Sequence, residues 1–93
     1  MDHIILDNII TRKDEVAAAN MDGEIVMMNI ETGNYYNLGK TGSIIWNMLE
    51  SPISVETLIH GLMEKYNVTQ QQCEVEVLSY LNELRGEGLI VIR

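Results

Sequence analysis

The chain has 93 residues, 46% of them apolar, with fourteen acidic side chains against six basic ones and a net charge of −8. A chain of this length folds as one small domain that buries about 60–65% of the surface its unfolded form exposes, which leaves room for one modest core and argues against a deep catalytic cleft. The charge repels phosphate backbones, whose binding depends on clustered Lys and Arg, and steers basic segments toward the surface.

The amino terminus, Met1-Asp2-His3, lacks a basic run, and the apolar stretch Ile4-Ile5-Leu6 stops at Asp7. Neither a secretory signal nor a membrane span is therefore expected. A single cysteine, Cys73, cannot form an internal disulfide and suits a reducing compartment. These readings together predict a soluble cytoplasmic protein. Residues 1–13 alternate apolar pairs with Asp7, Asn8, Arg12 and Lys13, a pattern that fits either a strand or an arm lying across a sheet.

Val16–Asn20 reads as a first strand, and Met21-Asp22-Gly23 as a turn, since Asp-Gly tolerates positive φ. Glu24–Ile30 and Asn34–Leu38, joined by Glu31-Thr32-Gly33, complete an antiparallel meander whose third strand is an edge. On the central strand Val26, Met28 and Ile30 point one way, and Ile25 and Met27 the other. Both faces are thus partly apolar, and the second needs a cover, either the amino-terminal arm or a partner.

The period then changes to helical. A first helix is predicted over Gly42–Glu50, with Trp46 as its core anchor, ending at Ser51-Pro52 because the residue before proline avoids α geometry. A second begins at the N-cap Ser54 and buries Leu58, Ile59, Leu62, Met63 and Tyr66. A third opens on Thr69-Gln70-Gln71-Gln72, a capping box, and runs to about Arg85, closed by Gly86 and Gly88. Leu89–Ile92 follows as a short extended segment. The predicted fold is α+β with a winged-helix character: a three-stranded antiparallel sheet, three helices and a short terminal strand, in a single domain over 1–93.

Along the third helix, at about 100° per residue, Cys73, Val77, Tyr80, Leu81 and Leu84 form the core stripe, with Glu76, Ser79 and Glu83 as a polar flank. Val75 and Leu78 fall nearly opposite, beside Gln71, Asn82 and Arg85. A second apolar strip on such a helix marks either a contact with the amino-terminal arm or a groove for a partner. Tyr35 and Tyr36 alternate in direction along the edge strand, so one of them leaves the core, and Tyr36 with Leu38 is expected to face inward.

Chemistry-bearing patterns are sparse. His3 and His60 have no further ligand at metal-binding spacing, and His60 with Glu64 makes an ordinary i, i+4 pair. Cys73 lies on the core stripe, where burial is the expected role. No nucleophile elbow or phosphate-binding glycine loop is present. No enzyme activity, metal or cofactor is expected.

An ordered set of residues runs through some seventy positions: Gly33-x-x-Tyr36-x-Leu38, Gly42-x-x-Ile45-Trp46-x-x-Leu49, Pro52, Val55-x-x-Leu58, Leu62, Tyr66-Asn67-Val68, and Val77-Leu78-x-Tyr80-Leu81-x-x-Leu84-x-x-x-Gly88-Leu89. In this set the chain resembles the PqqD-like recognition elements of ribosomal peptide natural-product pathways, above all the stand-alone versions of lasso-peptide clusters. The first twenty residues match poorly. The resemblance implies a non-catalytic domain that binds the leader of a precursor peptide as an added strand, between the third strand and the third helix. It further implies presentation to a separate cysteine peptidase and to a cyclase.

Carried onto this chain, the resemblance implies a strand-pairing edge at Asn34, Tyr35, Tyr36, Asn37 and Leu38, with the third helix lining the groove. The helical wheel adds Val75, Leu78, Asn82 and Arg85 as the side of that helix facing the guest. An unpaired edge supplies N–H and C=O groups that a peptide can satisfy, while alternate side chains enter pockets. The acidic surface predicts basic residues in the peptide. The same edge could instead pair with a second copy of the chain. The alternative reading, a winged-helix regulator binding DNA, needs a basic recognition helix, yet the third helix carries Arg85 against Glu74, Glu76 and Glu83.

Overall fold

The computed structural model describes residues 3–14 and 16–93; Met1 and Asp2, part of the predicted amino-terminal arm, lie outside them. Two three-stranded antiparallel sheets flank three helices. One sheet is the predicted meander: β2 (Val16–Met21), β3 (Glu24–Asn29) and β4 (Tyr35–Asn37), in that spatial order. In the other, β1 (Ile9–Arg12) lies between β5 (Ile53–Ser54) and β6 (Ile90–Ile92). The ambiguity over residues 1–13 thus resolves as a strand, but one belonging to a separate small sheet. Ile10 pairs with both Ile53 and Ile92 and is fully buried.

The predicted edge is therefore the fourth strand of the chain, and it keeps its place as the outer strand of the meander. Asp22 and Gly23 both take positive φ, 55° and 84°, which matches the twist of β2 and β3 and closes a two-residue hairpin. Along β3, Ile25, Met27 and Asn29 point into the core, while Ile30 is 58% exposed. The outer face of this sheet has no cover from the amino-terminal segment, which pairs elsewhere; Ala17, Ala19 and Met21 of β2 are exposed there, across from Val26 and Met28.

The helices are α1 (Gly39–Met48), α2 (Val55–Lys65) and α3 (Gln70–Gly86). Helix α1 starts three residues before the predicted Gly42: its N-cap, Leu38, has no capping side chain, Thr41 lies within its first turn, and the first amide, Gly39 N, donates to Asn37 Oδ1 instead. The other two starts follow their caps: Ser54 Oγ accepts from the amide of Thr57, and Thr69 Oγ1 from that of Gln72. The first amides of α2 are also satisfied by the amino-terminal segment, Val55 N donating to Asn8 O and Glu56 N to Leu6 O.

Three polar ties join these layers around the core of Ile10, Met27, Trp46, Leu49, Leu58, Leu81 and Leu89. Arg12 lies over the Trp46 ring, 4.6 Å from its centroid, and donates to the Trp46 carbonyl, so a cation sits at the carboxyl end of α1. Ser43 Oγ, buried, accepts from Ile25 N at 2.7 Å and holds β3 against α1. Asn29, also buried, accepts from the amides of Glu31 and Thr32 and donates to the carbonyl of Glu87, 2.9 Å away. That side chain both shapes the β3–β4 turn and fastens it to the end of α3.

Removing the Asn29 amide leaves a part-buried carbonyl and two part-buried turn amides without this partner. Asn29→Ala is expected to lower unfolding free energy in urea by about 1–3 kcal/mol, the usual effect of orphaning buried polar groups. An unchanged urea midpoint would show that the turn holds without this tie.

Candidate functional site

Among the described residues, strand β4 is paired on one side only. Leu38 N donates to Ile25 O, and Asn34 O accepts from Asn29 N, so positions 34 and 38 turn their backbone groups toward β3. Alternation along an antiparallel strand gives position 36 the same direction. The N–H and C=O of Tyr35 and Asn37 therefore face away from the sheet. Facing away from the core at the same time, the Tyr35 side chain is 74% exposed, whereas Tyr36 and Leu38 are half-buried and pack against the core, as the alternation predicts.

Across from this edge runs α3. Between the two lies a groove lined by Tyr35, Tyr36, Asn37, Leu38, Tyr80, Glu83, Leu84 and Glu87. Its width at one end is set by the Tyr36 hydroxyl, which donates to Glu87 Oε2 at 2.5 Å, and by the neighbouring Asn29 tie to the Glu87 carbonyl. The Tyr36 hydroxyl pKa is raised, chiefly because it donates to that carboxylate, and secondarily by desolvation.

At the other end, past Leu38 and Tyr80, the groove meets a cavity of about 410 Å³ between α1, α2 and α3. Its walls are largely apolar, from Leu38, Ile45, Leu62, Val68, Cys73 and Val77. Tyr80 borders both spaces. Its ring lies against Gly42, where an added Cβ would come within 2.5 Å of the hydroxyl oxygen, so Gly42 is the residue that admits it. The Tyr80 hydroxyl is buried and has no hydrogen-bond partner among the described residues. Burial first, and the nearby Glu83 carboxylate second, push its pKa up to about 12. Cys73, buried on the cavity wall, also has a raised pKa, through desolvation and then the charge of Glu76.

The structure thus gathers Tyr35, Tyr36, Asn37 and Leu38 along one groove, with Asn34 at the turn leading into it. The four α3 residues chosen from the wheel lie elsewhere. Val75, 63% exposed, belongs to a shallow surface beside Thr69, Gln71 and Gln72. Leu78 is half-buried against the core, and Asn82 Oδ1 accepts from Ile4 N at 3.4 Å, so this side of α3 meets the amino-terminal segment. Arg85 is half-buried and is not among the groove-lining residues. The α3 residues that do face β4 are Tyr80, Glu83 and Leu84, with Glu87 at the C-cap of the helix, joined by Glu76 at the cavity. Their positions, 76, 80, 83 and 87 with 84 beside them, follow i, i+4, i+7, i+11 spacing, a signal present in the sequence but overshadowed by the assignment of Tyr80 to the core.

Nothing in this arrangement pairs a nucleophile with a base. What it offers is an unpaired strand edge, a groove's width from a helix, ending at an apolar cavity. The fold is a small α+β domain with a one-sided meander edge set beside a long helix, and an edge of this kind is one to which extended peptides can add. The family model described as coenzyme PQQ synthesis protein D (PqqD) matches residues 24–90, and the chain belongs to that family. Among solved structures, it is similar to a chain described as TbiB1 in complex with the TbiA(beta) leader peptide, at 29% identity and a TM-score of 0.81, over 86% of this chain and 93% of that one. It also shares its fold with a lasso peptide synthetase B1 complexed with the leader peptide, at 21% identity and a TM-score of 0.79, over 88% of this chain and 96% of that one. No curated protein matches it significantly.

The buried Tyr80 phenol gives this geometry a measurable signature. A hydroxyl that is harder to ionise when folded contributes stability that is full below the ordinary tyrosine pKa of about 10 and is lost as pH rises toward about 12. Spectrophotometric titration should therefore find one phenolate forming last, and Tyr80→Phe should remove that step. Because the hydroxyl has no partner, the same variant should keep or slightly raise stability. A clear loss of stability would show that the hydroxyl is in fact bonded.

Proposed function

We propose that this protein is a non-catalytic recognition element that binds the leader segment of a ribosomally made precursor peptide. The guest adds as a strand to β4 and lies in the groove against α3. In this position it is held ready for a separate leader peptidase and the cyclising enzyme of a lasso-type pathway. The single observation that carries the reading is the free edge of β4, with the backbone groups of Tyr35 and Asn37 facing an open groove. Membership of the PqqD family and the likeness to TbiB1, itself seen with a leader peptide, support it.

Magnitudes divide the labour within the site. Two outward-facing residues offer four backbone groups, each worth about 1 kcal/mol net when paired. Association costs about 4–15 kcal/mol, so the ladder alone holds nothing. Side chains of the guest must supply the rest by filling the apolar cavity, at about 2 kcal/mol for each large apolar group buried. The ladder fixes direction and register, and the pocket fixes which peptide is held. DNA finds no comparable support: the exposed side of α3 presents Glu76, Glu83 and Glu87.

Proline at position 35 tests strand addition directly. It removes an edge N–H that no other strand uses, and proline is tolerated on edge strands. With the leader segment of a lasso-peptide precursor as probe, Tyr35→Pro should weaken binding at least about tenfold, the scale of one well-made hydrogen bond plus its geometry, while Tyr35→Ala should have a smaller effect. Equal binding by the proline variant, with the fold intact by circular dichroism, would reject pairing at β4.

A further inference from the structure

The two ends of the groove differ in chemistry. Beyond Leu38 and Tyr80 the walls are apolar, whereas at the Tyr36 end α3 presents Glu83 and Glu87. These two carboxylates are placed against local stability. They stand at i, i+4, where like charges repel, and in the last turns of the helix, where the macrodipole disfavours anions. Arg85 lies two positions from each, about 200° around the helix. Among the described residues Glu83 has no ion-pair partner, and Glu87 has only the Tyr36 hydroxyl. Three acids strung along a helix at 76, 83 and 87 are too dispersed for a metal ion, and no cluster able to hold one occurs among the described residues.

The second observation is Tyr80, which stands where the acidic and apolar ends meet with its hydroxyl buried and unpartnered. Its hydroxyl packs toward Gly42 of α1, and its ring borders both the groove and the cavity, so Tyr80 divides the acidic space from the apolar one. The distance along α3 from Tyr80 to Glu87 spans seven residues, or about 10 Å at helical rise. An extended guest covers that length in about three residues.

We infer that the guest peptide carries a lysine or arginine seated against Glu83 and Glu87, about three residues from an apolar side chain that enters the cavity beyond Tyr80. This rests on strand addition to β4 and adds to it a rule for which peptides are accepted and which way they lie. The basic residue sets orientation, because the reversed peptide would place its cation over the apolar cavity and its apolar group between two carboxylates. Both substitutions are unfavourable, so one direction along β4 is selected by charge as well as by shape.

A random nine-residue peptide library displayed on phage and selected on the immobilised protein tests this. Recovered peptides should share Lys or Arg at a fixed spacing of about three from a large apolar residue. A synthetic recovered peptide should bind about tenfold more weakly to Glu83→Gln, which leaves the Tyr36–Glu87 bond in place and whose thermal stability should be kept or raised by relief of repulsion. Glu83→Lys should shift selection toward Asp or Glu at the same position. Peptides that share the apolar group but show no basic preference, and bind Glu83→Gln equally well, would overturn the inference while leaving strand addition in place. Failure to select any peptide sensitive to Tyr35→Pro would overturn both.

Discussion

Strand β4 has a hydrogen-bonded neighbour on one side and a helix held at a distance on the other, and that spacing is the constraint on which the site depends. It is maintained by two contacts to the same residue: Asn29 donates to the Glu87 carbonyl, and Tyr36 donates to the Glu87 carboxylate. Without them the β3–β4 turn and the carboxyl end of α3 have no polar tie, and the groove has no fixed width. At the far end the same spacing is set by packing, with Tyr80 fitted against Gly42. An edge strand is ordinarily a hazard for association with other chains; here the flanking helix restricts what can reach it.

The second sheet explains why so short a chain can leave an edge open. Strands β1, β5 and β6 gather an amino-terminal strand, the entry to α2 and the carboxyl-terminal strand into one small unit separate from the meander. Arg12 links that unit to the end of α1 through Trp46. The helices are thereby fixed without drawing on β4, whose outward backbone groups stay available. The polarity of the groove follows from the same division: its apolar end is an extension of the core between helices, and its acidic end lies where α3 emerges toward solvent.

Much of this was legible in the sequence where the signal is local. Ser54 and Thr69 announce their helices because a cap is a contact three residues long, and Asp22-Gly23 announces its hairpin because few other pairs accept positive φ in succession. Strand β1 was ambiguous because its pairing partners, β5 and β6, lie some forty and eighty positions away, and no local pattern encodes them. The start of α1 lies ahead of the predicted one because its N-cap, Leu38, is apolar and carries no capping signal. On α3 the helical wheel gave angles correctly but could not say what each angle faces. Asn82 meets the amino-terminal segment and Leu78 packs against the core, while Tyr80, on the predicted core stripe, packs against the core and also borders the groove. Its acidic neighbours, taken as a solvated flank, line that groove.

Amide hydrogen exchange at Tyr35 and Asn37, measured with and without a saturating bound leader peptide, tests the central claim most directly. The account predicts that these two amides, unprotected in the free protein, become protected in the complex, while the amides of Tyr36 and Leu38 change little because β3 already holds them. Fast exchange at Tyr35 and Asn37 in the saturated complex, with protection appearing on another surface, would contradict it.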